Sequence, residues 1–107
     1  MTVIYKQRGD SIDYTPSADV AAGDVVVLFD LVGIAKLDIK AGELGALAVV
    51  GVFDFPIEAG STLEVGLAAY WDASGGFATD VATDNAFLGK TVFVDATNNR
   101  ARIRLSQ

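Results

Sequence analysis

Alternation of apolar and polar positions runs through the chain. Around ARIRL, Ala101, Ile103 and Leu105 alternate with Arg100, Arg102 and Arg104, which predicts a strand with one buried and one wet face. SIDYT sets Ile12 and Tyr14 against Ser11 and Asp13 in the same way. In TLEVGL, Leu63, Val65 and Leu67 oppose Glu64 and Gly66, which predicts another strand. VVVLF at 25–29 and ALAVVGVF at 46–53 are apolar on both faces and rich in β-branched residues. They read as central strands, covered by a second sheet or by a neighbouring subunit. Helical reading fails at 36–47 (KLDIKAGELGAL), where Gly42 and Gly45 would each cost about 1 kcal/mol in a helix. That segment is expected to be a loop with a turn at Ala41-Gly42-Glu43.

Turn residues punctuate the pattern at Gly9-Asp10, Gly23-Asp24, Gly42-Glu43, Gly60-Ser61, Gly75-Gly76, Asp84-Asn85 and Asn98-Asn99. WDASGGFATD (71–80) and VDATNNRARI (94–103) have the form of hairpins, with Gly75-Gly76 and Asn98-Asn99 as their turns. Short strands at this spacing predict an all-β fold with little helix: a small single-domain β-sandwich or barrel of about seven to nine short strands. Residues 9–107 form that domain and residues 1–8 an N-terminal arm. An Ala-Gly corner before Asp24, Glu43 and Ser61 opens three apolar segments. Glycine's freedom to enter a strand from a bend accounts for it better than a ligand-binding loop does, and the flanks match too poorly for a solenoid repeat.

Composition narrows the class. With 107 residues, 51% of them hydrophobic and only two prolines, the chain suits one ordered domain with a thin core that association would reinforce. Apolar runs are all interrupted well short of the roughly 20 residues of a membrane-spanning helix, so no membrane partner is expected. MTVIYKQRGD lacks the basic-then-apolar order of a signal peptide, and there is no cysteine, so synthesis in a cytoplasm is the expectation. A net charge of −6 disfavours a phosphate backbone as main partner and suggests a basic patch on whatever is bound.

Candidate chemistry is sparse. Without histidine or cysteine, Ser-His-Asp and Cys-His catalysis, His-ligated zinc and most general bases near pH 7 are excluded; an enzyme would have to rely on carboxylates, lysine, serine or tyrosine, and no catalytic, metal or cofactor residue is nominated. The fourteen carboxylates sit mostly at turns or on polar strand faces, as solvated acids. DNAFLGKT (84–91) is similar to a phosphate-binding loop, but Asp84 replaces its first glycine and Val92-Phe93-Val94 continues as a strand where a helix is needed. GDSID (9–13) lacks the ligand spacing of a calcium loop. More informative is the Arg100/Arg102/Arg104 face. It either protects an edge strand from promiscuous pairing or meets the carboxylates of another subunit or partner. Tyr70 and Trp71 end an apolar strand as core aromatics or interface anchors. Val3, Ile4 and Tyr5 have strand character beside a basic tip, which suits strand addition to a neighbouring chain.

The ordered series Gly9-Asp-Ser-Ile-Asp-Tyr14, Gly23-Asp24-Val25-Val26, Leu31-Val32-Gly33-Ile34-Ala35, Gly42-Glu43, Gly51-Val52-Phe53, Val65, Tyr70-Trp71-Asp72, Leu88-Gly89 and Arg102-Ile103-Arg104-Leu105 spans almost the whole chain. It resembles a family of small bacteriophage capsid cement or decoration proteins, formerly described as a domain of unknown function and sometimes given a recombinase-like label. The broken Gly-Lys-Thr motif argues against that label. The resemblance implies a non-enzymatic, mostly β protein of the virion, on the outer capsid surface, bridging subunits of the major capsid protein and self-associating as a dimer or trimer. It carries no catalytic residues across. A different class, a small carbohydrate- or ligand-binding β module for host attachment with Tyr70 and Trp71 as stacking platform, stands as the alternative.

Overall fold

The computed structural model describes residue 3, residue 6 and residues 9–107. Among these there is no helix, and nine strands form two antiparallel sheets. The first sheet contains β1 (Ser11–Tyr14), β2 (Val25–Leu28), β3 (Leu31–Ala35) and β4 (Gly45–Ala48), in the order β1-β4-β3-β2. The second contains β5 (Gly51–Pro56), β6 (Ala68–Asp72), β7 (Phe77–Thr79), β8 (Ala86–Asp95) and β9 (Arg100–Leu105), in the order β5-β9-β8-β6-β7. Of the two architectures expected, this is the sandwich.

Val32, Ile34 and Ala48 of the first sheet pack on Phe55, Ala69, Leu88, Ala101, Ile103 and Leu105 of the second. Burying a leucine or isoleucine here stabilises the fold by about 1.5–3 kcal/mol. A second apolar cluster lies on the other face of the first sheet, where Ala35, Ile39 and Leu47 pack with Ile12, Tyr14, Val20, Val26 and Leu28. Loops 15–24 and 36–44 bring Val20 and Ile39 to that face. β3 is therefore buried on both sides.

The Ala-Gly corners share one backbone device. Asp24 N–H donates to the Ala21 carbonyl, Glu43 to Lys40 and Ser61 to Glu58, all at 3.0 Å, with Gly23, Gly42 and Gly60 at φ 90°, 81° and 80° in the third position. A four-residue turn with positive φ there requires glycine. The first two corners also interlock. Val20 and Ile39 exchange both backbone hydrogen bonds at 2.8 Å. Asp19 Oδ1 accepts from Ala41 N–H and Asp38 Oδ1 from Ala22 N–H, both at 2.8 Å. Asp-Val-Ala-Ala-Gly-Asp (19–24) and Asp-Ile-Lys-Ala-Gly-Glu (38–43) thus clasp each other reciprocally, a likeness that the sequence reading took no further than Ala-Gly. At the third corner, Pro56 occupies the place of the aspartate.

Four expectations need correction. TLEVGL is not a strand: Leu67 N–H closes onto the Glu64 carbonyl and Gly66 has φ 94°, so the same turn recurs and turns Val65 out to solvent. ALAVVGVF is not one strand, because the chain leaves the first sheet after Ala48 and enters the second at Gly51. β2 and β5, expected to be central, are both edges. The arginine strand, β9, is no edge, since β5 and β8 flank it. Both expected hairpins form, with Gly76 at φ 75° and Asn99 at φ 53° in their turns.

Candidate interaction surface

The side chains of β9 alternate inward and outward, so Arg100, Arg102 and Arg104 line the outer face of the second sheet while Ala101, Ile103 and Leu105 fill the core. Cross-strand register brings further groups to that face. Arg104 stands between Val52 of β5 and Lys90 of β8, Arg102 between Asp54 and Phe93, and Arg100 between Pro56 and Asp95. Four of the chain's eight basic residues thereby share one face, on a protein of net charge −6.

Two irregularities in β8 assemble this face. Register shifts opposite Ala69/Tyr70 and again between Thr91 and Phe93. Each bulge resets the alternation. Leu88 and Thr91 stay buried, while Phe87, Lys90, Val92 and Phe93 are exposed. Gly89 is required at the first bulge, because a Cβ there would lie 1.8 Å from the Arg104 carbonyl oxygen. The Gly-Lys-Thr triplet is thus mid-strand geometry rather than a phosphate loop.

The charges of this face are unequally matched. Arg100 Nε lies 3.6 Å from Asp54 Oδ2, and its Nη2 donates to the Asp54 carbonyl at 2.8 Å. Arg102 lies over the Phe93 ring, 5.0 Å from its centroid, in a cation–π contact, and its charge also acts on Asp95. Lys90 and Arg104 oppose each other directly, and their other cross-strand neighbours are Ala68 and Val52. Like charges directly opposite are destabilising. A basic row rimmed by exposed Val52, Val92 and Phe93 offers arginine forks and apolar contacts to an acidic surface.

Tyr70 and Trp71 point to opposite sides of β6. The Tyr70 ring meets Phe87, with centroids 5.5 Å apart, at the border of the basic face. Trp71 packs on the core, 6.0 Å from Phe55. The two rings therefore make no common platform. Trp71 does line a cleft of about 360 Å³ beside β2 and β5, together with Asp24, Phe53, Asp54 and Arg100. Val3 is exposed and in no strand, whereas Ile4 and Tyr5 lie outside the described residues.

Two turn acids accept hydrogen bonds from the residues of their own turns. Asp72 Oδ1 accepts from Ser74 Oγ at 2.7 Å and from the N–H groups of Ser74 and Gly75, which holds its carboxyl below the ordinary value of 3.8. Asp95 is likewise lowered by Asn98, whose side-chain and backbone N–H groups donate to it at 2.8 and 3.2 Å. Among the described residues no three His, Cys, Asp or Glu side chains gather as a metal site.

The sequence reading missed Lys90 and Phe93 on the basic face, and also Phe29. Phe29, expected as the last residue of the VVVLF strand, instead occupies the two-residue tip between β2 and β3, at φ 56° and 99% exposed. Nothing in the run VVVLF marked that turn.

A family model described as phage cement protein matches residues 6–107. Comparison with curated proteins and with solved structures gives no match.

Proposed function

This chain belongs to the phage cement protein family, and we propose that it is a non-enzymatic structural protein of the phage head that binds the outer capsid surface. The basic face of the second sheet meets acidic side chains of neighbouring major capsid subunits there and holds them together. The observation that carries this reading is the Lys90–Arg104 row, a like-charge pair without an opposing carboxylate among the described residues, inside a patch of exposed apolar groups. Such a pair costs stability in the free protein and gains it against an acidic partner. Copies repeated over a lattice turn modest individual contacts into firm attachment, and self-association as a dimer or trimer adds to it. Residues 1–8 add as a strand to a neighbouring chain, an extension that a truncation lacking residues 2–8 tests by head occupancy. Synthesis takes place in the host cytoplasm before assembly on the virion.

Co-sedimentation with undecorated heads tests the proposal. The purified protein is expected to pellet with the heads, saturably and less as salt rises; protein left in the supernatant at every salt concentration overturns it.

One observation favours a second reading, a carbohydrate- or ligand-binding module. The cleft beside β2 and β5 sets the Trp71 ring near Asp24, Asp54 and Arg100, a mixture of ring face and polar groups suited to a sugar. Saturable quenching of Trp71 fluorescence by a soluble saccharide, without head binding, would select it.

A further inference from the structure

We infer that the outer edge of β2 receives residues 1–8 of a second copy, which add to the first sheet as a strand alongside Val25 and Val27. The inference rests on the self-association in the proposed function and names the strand that takes the arm, on a surface apart from the basic face.

β2 is an edge with open backbone. Val27 stands opposite Val32, and Val25 opposite Ile34. Val32 turns its N–H and carbonyl away from β2, to the side chain of Gln107. Opposed residues of an antiparallel pair either exchange both hydrogen bonds or both point away, so Val27 directs its own N–H and carbonyl out of the sheet. Val25, two residues earlier, does the same. Among the described residues nothing bonds to these four groups. Sheets ordinarily guard such edges with charge, proline or a bulge. β1 carries Asp13, β5 carries Asp54 and Pro56, and β7 is bridged to Ile57. β2 is Val-Val-Val-Leu and has none of these guards.

The side of β2 that faces the second sheet is open as well. Val25 lines a cleft of about 360 Å³ and Val27 one of about 260 Å³, and Trp71 lines both, so the two adjoin beneath the edge. A strand laid along β2 sends every second side chain into that groove. Asp24, Asp30, Asp54 and Asp84 lie along it against one cation, Arg100, which already pairs with Asp54. The fitting occupant is therefore an extended segment, apolar at alternate positions and basic. Met-Thr-Val-Ile-Tyr-Lys-Gln-Arg (1–8) has that chemistry: in a strand Val3 and Tyr5 share one side, Lys6 and Arg8 follow, and there is no acid. Val3 is exposed and in no strand of its own copy.

The arm comes from another copy because its own is too short. Ser11, Ala48, Ile34 and Val25 stand in one row across the first sheet. A strand added to β2 thus lies four spacings from β1, about 19 Å in a straight line through the sheet. From Tyr5 to Ser11 the chain reaches at most about 22 Å, and it would have to pass round the sheet with Gly9 bent at φ 85°. A contact between an arm and an edge joins two different patches, so it repeats from copy to copy.

Sedimentation velocity gives the test, with circular dichroism as the control for folding. Wild type is expected as an oligomer, and a truncation lacking residues 2–8 as a folded monomer. V27P should also be a folded monomer, because the N–H it removes faces out of the sheet. V27K, an edge lysine of the kind that blocks pairing, is the second variant should the proline ring disturb β2. The truncation keeps the edge and V27P keeps the arm, so their equimolar mixture should form a dimer and nothing larger. A labelled peptide of residues 1–8 should bind the truncated protein saturably, less as salt rises, and at least tenfold more weakly once V27P or V27K is added to it. A monomeric wild type, a truncation of wild-type mass, a mixture that stays monomeric, or a peptide indifferent to V27P and V27K overturns the proposal. So does a truncation of wild-type mass that no longer binds heads, which would assign the arm to the shell. A wild type that oligomerises through arm and edge but ignores heads would leave this contact standing while the proposed function falls.

Discussion

Gln107 stands where a neighbouring strand would: its side-chain Nε2 donates to the Val32 carbonyl at 2.7 Å while its Oε1 accepts from the Val32 N–H. β4 pairs with β3 only at Ile34 and Ala35, so on that side Val32 has no strand partner. Val32 itself is fully buried, and orphaned backbone groups there would cost about 1–3 kcal/mol. Q107A is expected to lower unfolding free energy by about 2 kcal/mol in urea titration, and Q107E, which can accept but not donate, by less. Equal stability of all three would show that the amide carries nothing.

The reciprocal clasp of Asp19 on Ala41 and Asp38 on Ala22 predicts coupled losses. D19A and D38A should each cost about 1 kcal/mol. Because either break frees both loops, the double variant should lose less than the sum, read from a double-mutant cycle of urea midpoints.

Thr91 is 1% exposed, and its hydroxyl has no hydrogen-bond partner. T91V keeps the branched shape and removes the orphan. Its unfolding free energy is expected to equal or exceed that of wild type, by about 1 kcal/mol at most, with a thermal midpoint that is no lower. A lower midpoint would mean that the hydroxyl is satisfied in solution.

Acid should loosen the two hairpin turns. Asp72 and Asp95 have lowered carboxyl values in the fold, so the unfolded chain takes up their protons at higher pH than the native one does. Their contribution is fully present above the ordinary value and is lost as pH falls below about 4 through the lowered folded values. In urea midpoints taken from pH 6 to pH 2.5, D72N and D95N should each show a shallower decline than wild type.

How much could be read beforehand follows from what is local. Gly75-Gly76 and Asn98-Asn99 announced their hairpins because turn chemistry resides in the residues themselves. Leu63, Val65 and Leu67 misled because alternation over a few residues cannot reveal that Gly66 closes a turn. Strand order was hidden as well: VVVL is as apolar as a central strand, yet as β2 it is an edge whose half-buried side chains pack against the opposing sheet on one face and against loop residues on the other. The candidate surface was half legible. The arginine alternation lay open, whereas Lys90 and Phe93 reach the same face only through two bulges that break the period of β8.

Stability and attachment should move in opposite directions at the basic row. Either K90E or R104E turns a repulsive cross-strand pair into an attractive one, with an expected gain of roughly 0.2–1 kcal/mol in unfolding free energy. The same change places a carboxylate where an acidic partner would dock.

The decisive measurement is therefore equilibrium co-sedimentation of wild type, K90E and R104E with undecorated heads over a range of salt concentrations. Wild type should bind, with affinity falling as salt rises, and both variants should bind at least tenfold more weakly with a flatter salt dependence, although they are no less stable. Variants that bind as tightly as wild type, with the same salt slope, would contradict the assignment of this face to the shell.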